Sequence, residues 1–149
     1  MSFQEIPIRQ NGQVFLYSWF NSLRSAGVLL EQFIGEDYIP NQEFSLANNQ
    51  SSAANVTGLL LDKDDYQLAL IYVGVKRSTD SVEVMSGGIL TAVYRTLTNT
   101  WELLDQLNGD DDGVTFSITS GGQVQYTSDN MSGTGYAGTM QFRAMTFGF

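Results

Sequence analysis

Hydrophobic and polar positions alternate in short runs along most of this chain. Ile6 and Ile8 alternate before Asn11-Gly12, and Val14 and Leu16 alternate after it, which is the strongest two-residue signal for a β-hairpin. The period then changes. Phe20, Leu23, Gly27, Leu30 and Ile34 recur at helical spacing, with Trp19, Ala26 and Phe33 widening the stripe. Ser18 suits an N-cap and Gly35 a C′ glycine, so one amphipathic helix is predicted between them. Such a stripe either packs on a sheet of its own domain or joins copies of the chain. On the second reading Trp19, Phe20, Leu23, Leu30 and Phe33 are the candidate assembly surface. A coiled coil is not implied, because the run is short and lacks a flanking ladder of charges.

Residues 36–55 are polar and rich in Asn, Gln and Ser, which predicts a linker with a short strand at Glu43–Leu46. After it the period of two returns. "NVTGLLL" and "YQLALIYVGVKR" read as strands on either side of Asp62-Lys63-Asp64-Asp65, with Leu68, Leu70, Tyr72 and Val73 among the β formers. "VEVMSGGILTAVYRTLTNTWELLDQL" reads as a hairpin about Gly87-Gly88 followed by a turn at Thr98-Asn99, and "GDDDGV" at 109–114 as another turn. Phe116 and Ile118 alternate, Gly121-Gly122 interrupts, and Val124 and Tyr126 resume, which makes residues 113–133 a hairpin. Met140, Phe142 and Ala144 share one face of a last strand. About eight short strands with regular turn signals predict a mostly β fold, an antiparallel sandwich or closed barrel. Three parts follow: an N-terminal hairpin and helix for attachment or assembly over 1–37, a polar linker over 38–54, and a β domain over 55–149.

Composition narrows the chemistry. The chain has 149 residues, suited to one domain with a small appendage. Its 7 Lys and Arg stand against 16 Asp and Glu, a formal net charge of −9, which argues against binding a nucleic-acid backbone. There is no cysteine and no histidine. Disulfides, thiolate catalysis, His- or Cys-ligated zinc and Ser-His-Asp catalysis are therefore excluded, and acid–base work would fall to carboxylates, Tyr or Lys. The first residues lack a basic region followed by an apolar core, and runs such as "LALIYVGV" are too short for a membrane-spanning helix, so folding in a cytosol is expected.

No motif assigns a reaction. Asp110, Asp111 and Asp112 are adjacent rather than alternate and lack the Gly and Glu of a calcium loop; Asp62, Asp64 and Asp65 fail likewise. "SGGIL" and "SGTGYAG" carry no Lys-Ser/Thr ending and open no helix, so neither is a phosphate loop. No acid pair has the aromatic surroundings of a sugar cleft, which leaves a carboxylate hydrolase without support. No catalytic, cofactor or metal residue is assigned. Tyr94, Trp101, Tyr126, Tyr136 and Phe142 are read chiefly as β-core residues. The Gly-rich stretch 129–139 is the one candidate recognition loop, with Asp129 and Asn130 as polar contacts and Tyr136 as anchor.

A resemblance sharpens this reading. Val93-Tyr94-Arg95, Trp101, Gly109-Asp110-Asp111, the run Gly113–Ile118 and the run Gly122–Ser128, followed by "TMQFRAMTF", resemble the C-terminal domains of bacteriophage tail-fibre and other virion proteins. The likeness covers residues 55–149, and "PIRQNGQVFLYSWFNSLRSAGVLLE" is similar to the leading segment of small phage structural proteins. Those domains look like the trimeric jelly rolls of the C1q and tumour-necrosis-factor type. The resemblance implies a jelly-roll-like antiparallel sandwich, self-association as a homotrimer, contact with other virion proteins, and a place in the virion as a fibre tip, tail appendage or capsid decoration. The other reading is a module that recognises a host surface receptor or glycan.

Overall fold

A computed structural model describes residues 38–149, which lie within one compact unit. The expected N-terminal hairpin and helix, and with them Trp19, Phe20, Leu23, Leu30 and Phe33, lie outside the described residues. Eight strands occur among those described: β1 Tyr38–Ser45, β2 Ala54–Leu60, β3 Leu68–Ser78, β4 Glu83–Arg95, β5 Thr100–Gly109, β6 Val114–Ile118, β7 Gln123–Ser128 and β8 Ala137–Phe147. No helix occurs among them. The strands form two antiparallel sheets, five strands in the order β1-β8-β3-β4-β5 and three in the order β2-β7-β6.

The core follows from period-two alternation. Ala69, Ile71, Val73 and Val75 of β3 and Met140, Phe142 and Ala144 of β8 point inward, where they meet Val56, Leu59, Phe116, Val124 and Tyr126 of the smaller sheet. The Phe44 and Tyr126 rings close the seam between sheets edge to face at 5.5 Å. Trp101, Tyr126 and Phe142 are buried, as expected of core aromatics, whereas Tyr94 and Tyr136 are half-buried.

Three expectations need correction. Residues 38–45 do not belong to a linker; they form β1, an edge strand on β8, of which the short strand expected at Glu43–Leu46 covers only the last three residues. Only Ile39 and Phe44 of that strand pack on the core, and its register slips between Ile39 and Gln42, around Pro40. A bulged edge strand with Pro shows little apolar alternation, so its sequence reads as linker. Residues 46–53 do connect strands, but they run over the sandwich end and are hydrogen-bonded there. Gly87-Gly88 is not a turn. Both glycines lie inside β4, and the β4–β5 turn falls at 96–99, where Asn99 takes a φ of 53°. Finally, β3, β4 and β5 run as a meander within one sheet, so the strand order departs from the paired Greek keys of a jelly roll.

Candidate functional surfaces

Loops 46–53, 79–82, 110–113 and 129–136 gather at one end of the sandwich, and a single side chain organises three of them. The alternation that sends Ala69, Ile71, Val73 and Val75 inward continues to Arg77, which is only 2% exposed. Its Nε donates to the Tyr136 hydroxyl at 3.1 Å, and its terminal nitrogens donate to the Asp112 carbonyl, the Asp129 carbonyl and Asn48 Oδ1. Tyr136 also lies under the guanidinium, 5.5 Å from ring centroid to carbon. Among the described residues no carboxylate forms an ion pair with Arg77. The buried cation is held by carbonyl and hydroxyl dipoles instead.

The same end is tied together further out. Asn48 Oδ1 accepts from the Met131 amide at 2.8 Å, and Asn48 Nδ2 donates to the Met131 carbonyl at 2.9 Å. The buried Ser128 hydroxyl donates to the Ala47 carbonyl at 2.6 Å, and the Tyr126 hydroxyl accepts from the Ala47 amide at 3.0 Å. Of the candidate recognition residues, Asp129 and Asn130 are exposed, whereas the Tyr136 side chain is engaged with Arg77 and the Ala47 carbonyl. The three are therefore brought to one end, but Tyr136 faces the fold rather than standing free as an anchor.

The acids of 110–112 go to separate tasks. Asp110 accepts from the Met85 amide at 2.9 Å, Asp111 accepts from the Gly113 amide at 3.2 Å, and the buried Asp112 accepts from the Val114 amide and the Ser86 hydroxyl. Among the described residues no group of three or more acids is gathered as a metal would require.

Asp80 ties 79–82 to 129–136. It accepts from the Thr134 hydroxyl at 2.7 Å and the Thr134 amide at 3.2 Å, and these bonds hold its carboxyl below the ordinary Asp value of 3.8. A lowered carboxylate pKa favours the folded tie above the ordinary value and loses it as pH falls through the lowered one. Protection of the Thr134 amide, its exchange rate taken relative to that of an unstructured amide at the same pH, should therefore fall as the solution is acidified below pH 3.8, and in Asp80→Asn this acid step should be absent. Protection with the same pH profile in both proteins would contradict the tie.

At the opposite end a shallow depression of about 180 Å3 is lined by Leu60, Asp62, Lys63, Trp101, Ser120 and Gly121. It is smaller than the roughly 300 Å3 at which pockets begin to hold drug-sized ligands. The Trp101 indole N–H nearby is buried without a hydrogen-bond partner among the described residues.

The third surface is the outer face of the five-stranded sheet. Strand register sets out its rows. Tyr38, Met145, Leu70, Thr91 and Leu104 stand side by side across all five strands, one from each. Phe147, Leu68 and Val93 form the row on one side, and Arg143, Tyr72 and Ile89 the row on the other. Leu104 is 60% exposed, Tyr38 50% and Met145 40%, so this is an open apolar face rather than a covered one in the described chain. Sequence reading picked out Leu68, Leu70 and Tyr72 as β formers but did not place them on a common outer face. It missed Arg77 altogether, although the inward alternation from Ala69 reaches it directly.

No family model matches the chain, and no curated protein matches it. Among solved structures it is similar to the tailspike protein of Acinetobacter phage vB_ApiP_P1, with a TM-score of 0.42 and 17% sequence identity over 74% of this chain. The match covers 21% of the tailspike chain, so this chain spans about a fifth of that protein.

Proposed function

We propose that this chain is a non-enzymatic structural component of a bacteriophage virion, a tail-fibre-like part or capsid-surface appendage that assembles as a homotrimer. The sequence resemblance over residues 55–149 supports the virion. The observation that carries the structural role is how the polar groups of the loop end are used. Arg77, Asp112, Asn48, Ser128 and Tyr136 are all engaged in holding loops to strands, and the exposed surface that remains unusual is the apolar sheet face. Groups locked in mutual hydrogen bonds suit a rigid building block better than a reactive cleft.

Quantitative mass spectrometry of purified particles of the encoding phage tests this. The reading expects the chain in the particle, in a copy number divisible by three; its absence from purified particles would overturn it.

A second reading, recognition of a host receptor or glycan, is favoured by the same clamp, because a rigid loop end presents Asp129 and Asn130 without an ordering cost on binding. It expects labelled protein to bind host cells and Asn130→Ala to weaken that binding. Equal binding by both proteins would remove Asn130 from the recognition surface.

A further inference from the structure

The outer face of the five-stranded sheet contains a bare stretch of backbone that nothing among the described residues explains. Gly74 of β3 and Gly87 of β4 are direct cross-strand partners there, flanked by Gln141 of β8 and Asn108 of β5. For Gly87 the fold supplies part of a reason, since a Cβ would lie 3.2 Å from the Val73 carbonyl oxygen. For Gly74 it supplies none. A Cβ added at Gly74 meets no atom of the described residues within 4 Å, and its φ lies outside the left-handed region. Glycine in the middle of a central strand weakens the strand, and its common justification is close approach of another backbone or a ligand.

The charge on this face indicates what approaches. Its basic residues are Lys76, Arg95 and Arg143, and its acidic residues are Glu43, Glu83 and Glu102, three against three. Lys76 pairs with Glu83 at 2.8 Å and Arg95 with Glu102 at 3.0 Å. The whole chain carries −9, so two copies approaching through other surfaces bring net negative charge together. Here they meet through a neutral, apolar face. An acidic or basic partner would find no charge to match.

We infer that a second copy of the chain seats on this face, with its surface in close contact over the Gly74–Gly87 backbone and the row from Tyr38 to Leu104. This rests on the self-association in the proposed function and names the surface that carries it. Tyr72 and Ile89 on one side of the bare row give the contact an apolar wall, and the glycines set how closely the copies approach.

The test uses the full chain with Gly74→Thr. Thr is a better strand former than Gly and has open space at this position among the described residues. Light scattering should show wild type as an oligomer and Gly74→Thr as a monomer at the same concentration, with a melting temperature of the monomeric variant no lower than that of diluted wild type. A Gly74→Thr protein that keeps the wild-type mass would overturn the face while leaving self-association intact. A wild type that is itself a monomer would overturn both.

The absence of cysteine from the chain allows a second readout, by reactivity rather than by mass. A single thiol at Leu104→Cys should react with a bulky maleimide about tenfold more slowly than one at the exposed Ser117→Cys on the other sheet, and the difference should vanish on dilution to monomer. Equal rates in the oligomer, or protection that persists in a monomer, would contradict a second copy on this face.

Discussion

Gly122→Ala should lower the unfolding free energy by about 4 kcal/mol, whereas Gly121→Ala beside it should change stability by less than about 0.5 kcal/mol. The two glycines look equivalent in sequence and are not. The β6–β7 hairpin closes through a bond from the Gly122 amide to the Thr119 carbonyl at 3.0 Å, and Gly122 then takes a φ of 84°. That is the three-residue hairpin in which a turn is followed by a left-handed residue. A Cβ on Gly122 would press into the Leu61 carbonyl oxygen and lie 3.0 Å from Trp101 Nε1. The left-handed conformation alone costs an alanine about 1–2 kcal/mol, and displacing Leu61 adds more, because its amide is bonded to the Gly122 carbonyl at 2.9 Å. At Gly121 the nearest atom to an added Cβ is Thr119 Oγ1 at 3.8 Å, ordinary contact with no strain. Urea unfolding of both variants checks this. Equal midpoints would mean that the hairpin does not approach β2 as closely as the structure has it.

Arg77→Met should cost about 3 kcal/mol, read in the same way, and its effect should be local as well as global. Methionine refills much of the volume but leaves the Asp112 and Asp129 carbonyls, Asn48 Oδ1 and the Tyr136 hydroxyl without their charged donor. Each hydrogen bond to a charged group is worth about 1.5–3 kcal/mol. Relief from burying an unpaired cation, and water reaching the exposed side of the loops, offset part of that sum. Hydrogen exchange should accelerate at the Asn49 and Met131 amides, which hang on the clamped segments through the Asp129 carbonyl and Asn48 Oδ1, before it does so in β3 and β8. Uniform acceleration throughout would indicate that Arg77 supports only the core.

Much of the sandwich was legible because burial on one face writes a period of two. Phe116, Ile118, Val124 and Tyr126 gave the β6–β7 hairpin, and the register pairs Phe116 with Tyr126 and Ile118 with Val124. What escaped has physical causes. β1 is an edge strand interrupted at Pro40, with few core contacts and so little pattern. Gly87-Gly88 has turn-like composition, yet its role depends on neighbours distant in sequence: a Cβ on Gly88 would run into the Gln106 backbone of β5. The candidate surfaces were harder still. Arg77 sits at a core position by alternation, but the dipoles that make it tolerable come from Asn48, Asp112, Asp129 and Tyr136, up to 59 residues away. The apolar outer face exists only once five strands are in register, since no single strand shows more than two or three of its members.

The solution mass of the full chain, measured by light scattering over a range of concentrations, tests the central claim most directly. A homotrimer of a 16.4 kDa chain gives three times that mass, held constant until dilution dissociates it. A species that stays at 16.4 kDa at the highest concentration would contradict the assembly reading and leave the apolar sheet face without a second copy to cover it.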